Sequence, residues 1–502
     1  MSRKLIIVAS ILFVLCPICS FAQDVSVSLP RYSVVLNDSK VDNAHSKYPL
    51  VVYKGITYFP MTFYQCRFMG IESKWTNEDG LEINKSGVIG EYRPELIKSK
   101  NNRTYTASIA DFNIKVNAKS VDNSNEEYPL LVFNNVTYFP MTWKFAVDEF
   151  GWDYKFDSKK GLYIKSRNLE VKKLELPYKD EYSNLCMYNG YYYYVANIKN
   201  KKYVYSAKVD NVKKTSKLYY LKGDYLSGVY FFKQDEGIYF TYHLGSASMG
   251  SDYTYKINKD NAVEYVTSGF SDYIKYKDRI ICYDYGPLVS HGNLYYEEED
   301  YKREYIGNKD YKYGRYGSSI KIIGDDMYVT AYKPDSNNDE NKIYKINMNT
   351  NEMKQLSSIE AHEFYIADDK IYFKSDNDKK LYSMGLNGEN QSVVIDGDVG
   401  WFKIDNDIIY YISDKTEEIF YKKIGQEPKL LMKKQKVVGI DLRSDYIICE
   451  LRDKEDYGIV VFDKNQNVVF KTSDKVDSYW NDGDYIIYNT YDTNNNYRVK
   501  LK

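Results

Sequence analysis

His45, His243, His291 and His362 are the side chains best suited to bind a transition metal or move a proton near neutral pH, and they are scattered along the chain. No His-x-His pair brings two ligands together, so no metal centre is assigned. Asp335-Ser336-Asn337-Asn338-Asp339 spaces oxygens as a calcium loop does. Glu340 replaces the glycine turn there, and Ile346 stands where a bidentate acid belongs. Gly245-Ser246-Ala247-Ser248-Met249-Gly250 lacks the Lys-Ser/Thr of a phosphate loop and the flanking elements of a hydrolase elbow, and reads as a connection. Cys66, Cys186, Cys282 and Cys449 sit among apolar residues and read as small buried side chains, with disulfide pairing left open. Trp75, Trp143 and Trp152 have the chemistry of sugar platforms, but core packing is the expectation for all three. The Tyr-Lys interleaving from Tyr301-Lys302-Arg303 to Tyr313-Gly314-Arg315-Tyr316 has the chemistry to stack on single-stranded nucleic acid, but no nucleic-acid partner is expected of a neutral, secreted chain. Catalytic, cofactor-binding and metal residues are therefore none, and ligand-binding residues are unknown.

The elements that would position such groups are mainly strands. Of 502 residues 56 are Tyr, a strand former whose ring suits a core and whose hydroxyl suits water, and hydrophobic residues reach 43%. Lys plus Arg total 69 against 70 for Asp plus Glu, which leaves no charge excess for nucleic acid. The length is consistent with two to four domains.

Residues 1–22 read as a signal peptide: Arg3 and Lys4, an apolar run from Leu5 to Cys19, then Ser20-Phe21-Ala22 with cleavage after Ala22. An uncleaved anchor would need about 20 apolar residues, and Pro17 interrupts this run. Leu15 and Ile18 precede Cys16 and Cys19 where a lipidation site wants a small residue, and the C-terminus shows no wall-sorting pattern. The expectation is a secreted chain with no transmembrane segment after signal cleavage.

Tyr48-Pro49-Leu50-Val51-Val52-Tyr53 through Thr57-Tyr58-Phe59-Pro60-Met61-Thr62 returns 80 residues later as Tyr128-Pro129-Leu130-Leu131-Val132-Phe133 through Thr137-Tyr138-Phe139-Pro140-Met141-Thr142. After one inserted residue, Gly70, Trp75, Gly80 and Ile83 match Gly151, Phe156, Gly161 and Ile164. Each copy predicts a strand (Ser33 to Asn37, Phe112 to Asn117), a hairpin stopped by Pro60 or Pro140, a short helix, and returning strands. Thr62 and Gln65 fit a capping box and Gly70 a stop.

These phrases resemble the stalk-like module named for the N-terminal domain of copper amine oxidases, over 25–84 and 105–166. The resemblance implies a non-catalytic spacer or attachment module of secreted Gram-positive bacterial proteins. Amine oxidase activity is not expected: Thr493-Asn494-Asn495-Asn496-Tyr497 echoes the self-processing phrase, but Arg498 follows it and the histidine cluster is missing.

From about Leu174 a second unit recurs, in which a polar turn launches an aromatic, β-branched strand. Its anchors are Asn189, Glu236, Asp278, Asp325, Asp369, Asp407, Asp445 and Asp484, spaced 47, 42, 47, 44, 38, 38 and 39 residues apart. The recurring acid or amide is explained as an Asx turn rather than a ring of carboxylates. Spacing near 40 is propeller spacing, with four short antiparallel strands per unit. The last unit lacks a fourth strand, and Leu169 to Leu176 is a spare strand ahead of the first; their pairing would close the ring. The pattern resembles the propeller-like domain related to low-density-lipoprotein-receptor propellers, though the Tyr-Trp-Thr-Asp signature is absent.

The fold expected is thus mainly β: two small α+β stalk-like modules, then a β-propeller over 169–502, with eight blades favoured and seven the alternative. The function expected is a secreted or wall-associated, non-catalytic binding protein without cofactors, whose propeller recognises a cell-wall polymer, glycan or extracellular protein. The alternatives are a propeller enzyme acting on extracellular polysaccharide or peptide, and an extracellular sensor or scaffold subunit.

Overall fold

The computed structural model describes residues 23–501 apart from 181–183, 224–227, 235–236, 247–249, 269–270, 285–290, 298–301, 315–319, 335–340, 376, 434–436, 444 and 453–457. The expected signal peptide, the calcium-like loop, the anchor Glu236, the middle of the Gly245–Gly250 connection, and Tyr301, Arg315 and Tyr316 of the Tyr-Lys segment lie outside those residues. The chain divides into two compact units, Met1–Asn168 and Leu169–Lys502.

In the first unit the two repeat copies are not separate modules; they interlock. A closed barrel runs Asp24–Ser28, Val51–Tyr53, Ile56–Pro60, Val136–Pro140, Leu131–Phe133, Thr104–Ile109 and back to its start. Its two cross-copy seams pair Phe59 with Phe139 and Ser26 with Thr106, residues 80 apart in sequence, so an internal twofold relation passes through both pairs. The outer strands are exchanged as well. Leu81, Glu82 and Ile83 run parallel to Ile114, Lys115 and Val116 of the second copy, and Leu162, Tyr163 and Ile164 run parallel to Val34, Val35 and Leu36 of the first. A shared core results, holding Leu36, Phe59, Met69 and Ile83 beside Val116, Phe139, Phe145 and Trp152, with a second around Val27, Tyr58, Leu131 and Tyr138. Size favours this, because a copy of about 60 residues alone buries only about 60% of the surface of its unfolded chain and is marginal.

Local sequence accounts for the helical turns. Thr62 caps Phe63–Phe68, its hydroxyl accepting the Gln65 N–H at 3.3 Å, and Gly70 leaves the helix at φ 81°. The second copy carries one more residue before its matching glycine, Gly151. Trp143–Glu149 absorbs it as a wider π-type turn, in which the Phe150 N–H bonds to the Phe145 carbonyl five residues back at 3.0 Å.

The second unit is a β-propeller. Among the described residues it holds six four-stranded antiparallel sheets and one nine-stranded sheet. The nine-stranded sheet spans the repeats anchored at Asp278 and Asp325, joined where His291–Glu297 and Asp326–Tyr332 both pair with Lys312–Gly314. Each repeat's second strand is buried on both faces, as in Tyr192, Tyr193 and Tyr194, or Ile371, Tyr372 and Phe373. Cores form between neighbouring sheets: Tyr328 and Ile343 with Phe364 and Ile371, then Tyr372 with Phe402 and Ile409, then Tyr410 with Ile447 and Cys449. The ring closes as the spare strand suggests, with Val171–Leu174 antiparallel to Asn496–Lys500. The last sheet packs on the first, where Trp480 Nε1 donates to the Met187 carbonyl at 2.8 Å and Arg498 donates to the Tyr192 hydroxyl at 2.8 Å.

Candidate binding surfaces

The groups singled out for chemistry do not converge. His45 Nδ1 lies 2.9 Å from Asp42, and His243 Nδ1 lies 2.8 Å from Asp252, with Nε2 at 3.0 Å from the Ser246 carbonyl. The Ser246 carbonyl and then the Asp252 carboxylate raise the His243 pKa, since both ring nitrogens face acceptors. His362 meets Asn341 at 2.9 Å, and His291 heads a strand in a different sheet. Among the described residues no group of three His, Cys, Asp or Glu side chains is placed to hold a metal ion. Burial pushes the Cys66 and Cys449 thiols up to about 12 and Cys186 well above its usual value, and the four cysteines are buried and outside any disulfide.

Two of the recurring turn acids, Asp325 and Asp484, act between repeats rather than only within their own turns. Asp325 accepts from the Tyr276 hydroxyl at 2.8 Å and from Lys277 at 2.7 Å, and these partners with Asn349 hold its carboxyl well below the usual range. Asp484 accepts from the Tyr446 hydroxyl at 2.9 Å. Two buried tyrosines also find partners beyond their own strand: Tyr193 donates to Asn261 at 2.8 Å and Tyr283 to the Tyr313 carbonyl at 2.7 Å. One cation stands out. Burial pushes Lys179 down to about 8, and its Nζ donates to the Asp180 carbonyl at 3.2 Å, but no nucleophile–base pair is described around it.

Two of the three tryptophans depart from the core-packing expectation. Trp152 is buried, with Nε1 donating to the Met69 carbonyl at 2.8 Å across the copy boundary. Trp75 is 52% exposed and Trp143 68% exposed. Trp75 lies on Ile71–Thr76, the last strand of its sheet, and Trp143 begins a helical turn, so neither position has a layer above it. Trp75 meets Phe112 edge-on at 4.8 Å, and the twofold-related Phe156 meets Tyr32 at 5.1 Å, each pair drawn from both copies. Beside Phe112 opens a cleft of about 950 Å³ bordered by Tyr53, Lys54, Asp111, Asp122, Ser124 and Glu126.

The propeller carries a second surface. Tyr220, Tyr265, Tyr305, Val393, Leu430 and Val468 are all exposed, and each sits on the outermost strand of its repeat. Sequence reasoning passed over this row because strand alternation marks which residues share a face, not which strand is the last of its sheet. The fourth strand's position in each repeat was the available signal.

Comparison with known proteins adds little beyond the architecture. No protein-family profile matches the chain, and no curated protein matches it. Solved structures similar to it include BamB from Moraxella catarrhalis (9% identity, TM-score 0.40, 66% of this chain and 100% of that one). TolB from Acinetobacter baumannii is similar at 11% identity and TM-score 0.30, over 61% of this chain and 78% of that one. The nidogen/laminin complex gives 11% identity and TM-score 0.26, over 44% and 86%. The propeller assignment rests on the sheets described above. No helix among the described residues is long and apolar enough to cross a membrane.

Proposed function

We propose that the chain is a secreted, wall-associated binding protein whose propeller recognises an extracellular glycan or protein. The row of exposed Tyr and aliphatic side chains on the outermost strands carries this reading. A chain that keeps most of its aromatic side chains at least partly buried leaves these six in water, one on the outer strand of each of six repeats, and the reading is that they meet a ligand together. Tyr220 and Tyr265 supply flat rings for stacking, and the basic Lys217 beside Tyr203 adds a cation on the same first sheet. The leader motivates secretion. The stalk-module resemblance motivates attachment to the wall through the duplicated unit. We also read the nine-stranded sheet as two merged blades, which makes eight in all.

The test is co-sedimentation of residues 23–502 with purified Gram-positive cell walls, with released fragments assayed in the supernatant. Retention should weaken about fivefold or more in a Tyr220→Ser/Tyr265→Ser variant, as for loss of more than about 1 kcal/mol at an interface. No retention of the parent chain by walls or secreted polymers would reject the proposal, and fragment release would replace it with an enzyme acting on those polymers.

A further inference from the structure

The twofold relation of the front unit makes one copy a control for the other, and beside the helical turn the two differ at one loop. In the first copy the segment joining the copies lies along the Asp42–Lys47 loop. The Ile97 N–H donates to the His45 carbonyl at 2.7 Å, the Lys47 N–H to the Glu95 carbonyl at 2.8 Å, and the Asn101 N–H to the Ala44 carbonyl at 2.7 Å. Ser46 and Leu96 form an antiparallel bridge, the Asn101 amide donates to the Asn43 and Ser46 carbonyls at 2.9 and 2.7 Å, and Lys47 pairs with Glu95 at 2.9 Å. Ser46 is left 5% exposed.

The second copy builds the same loop and leaves it uncovered. Asp122 to Glu127 repeats Asp42 to Lys47, and both loops are fixed from the opposite copy's hairpin tip: Asn134 donates to the Lys47 carbonyl at 3.2 Å and Lys54 to the Glu127 carbonyl at 3.5 Å. Yet Ser124 and Asn125 are exposed and Glu126, the counterpart of Ser46, is half-buried. Among the described residues no other segment donates to the Asn123, Ser124, Asn125 or Glu126 carbonyls. The open side is the cleft of about 950 Å³, at the upper end of the ~300–1,000 Å³ typical of ligand pockets. The chain that follows the second copy is engaged elsewhere, since Val171–Leu174 closes the propeller ring and Leu176 is buried in the propeller core.

We propose that the Asp122–Glu127 loop docks an extended polypeptide segment of a partner, laid antiparallel along Glu126 as Leu96 lies along Ser46, with a cationic side chain opposite Glu127. Backbone pairing supplies the register, the mode by which exposed strand-like edges capture peptides. Charge selects the occupant. Where the covered loop presents Lys47 to Glu95, the open one presents Glu127, an exposed acid that raises the pKa of its neighbour Tyr128. Glu126 is already paired with Lys144 and Lys115 with Asp79, and Lys54 is turned to the Glu127 carbonyl and the Tyr53 ring, so none of them pairs with the Glu127 carboxylate. The site lies within the front unit and is independent of what the propeller binds.

The test uses residues 23–502 and two fluorescein-labelled peptides spanning Glu91 to Asn101, one native and one carrying Glu95→Lys, followed by fluorescence anisotropy at low salt. The Glu95→Lys peptide should bind saturably and about three- to fivefold more tightly than the native one, the range of an exposed ion pair. Glu127→Lys protein, whose exposed position leaves the thermal transition unchanged, should reverse the order. Absence of saturable binding by either peptide, or equal binding that Glu127→Lys does not alter, would overturn the proposal. Tighter binding of the native peptide together with self-association of the protein would overturn it in favour of a second copy's linker.

Discussion

At the scale of single residues, the front unit turns on glycines where the two copies exchange strands. Gly161 has φ 93°, and a Cβ there would lie 2.0 Å from the Ser33 carbonyl oxygen; Gly80 is the same at φ 76° and 2.1 Å from Asn113. At each point the next residue donates to that carbonyl, Leu162 to Ser33 and Leu81 to Asn113, both at 2.9 Å. Gly161→Ala should therefore lower stability by about 2 kcal/mol or more, combining a left-handed alanine with a clash against rigid backbone. Gly55→Ala is the control, since φ is 83° but nothing lies within 4 Å, and it should cost only about 1 kcal/mol. Urea unfolding of both variants decides it. Equal midpoints would mean that the exchanged strands do not meet as described.

At the scale of elements, the interlocked copies behave as a dimer fused into one chain. The hairpin Val51–Tyr53 with Ile56–Pro60 was legible from its Pro-Leu-Val and Ile-Thr-Tyr-Phe runs, and the helix from Thr62, Gln65 and Gly70. Its partner was not legible, because Phe59 pairing with Phe139 is a contact between identical phrases and carries no local signal. The same blindness hid the exposed Trp75: its apolar character was plain, but whether its strand was an edge depended on the exchange. A fragment of residues 23–102 leaves the Ile56–Pro60 edge and the parallel partner of Gly80–Lys85 unfilled. It should associate as a twofold dimer using the same seams, because an isologous contact needs only one surface. Light scattering after gel filtration should give twice the fragment mass. A stable folded monomer would show that one copy suffices.

At the scale of the whole molecule, the propeller's repeat was readable from spacing alone, and its closure from one spare strand and one missing strand. What spacing does not carry is how far damage travels. In an open repeat array each unit leans only on its neighbours, so a terminal defect stays local. A closed ring has no terminus: Leu174 is buried beside Leu185, Tyr192 and Ile487, tying the last sheet to the first. Leu174→Asp would place a carboxylate in that seam without a partner, a cost of several kcal/mol. It would also free the edge of Asn496–Lys500, which now pairs with Val171–Leu174. Opening there deprives the first and last sheets of one face each, and the deficit passes through the shared cores to Lys370–Lys374, several sheets away. Hydrogen exchange should therefore show protection falling together in Tyr485–Thr490 and in Lys370–Lys374, with exposed Lys173→Glu altering neither. Loss confined to Tyr485–Thr490 and Asn496–Lys500 would mean that the sheets are stable as a linear stack and that closure serves only to cover an edge.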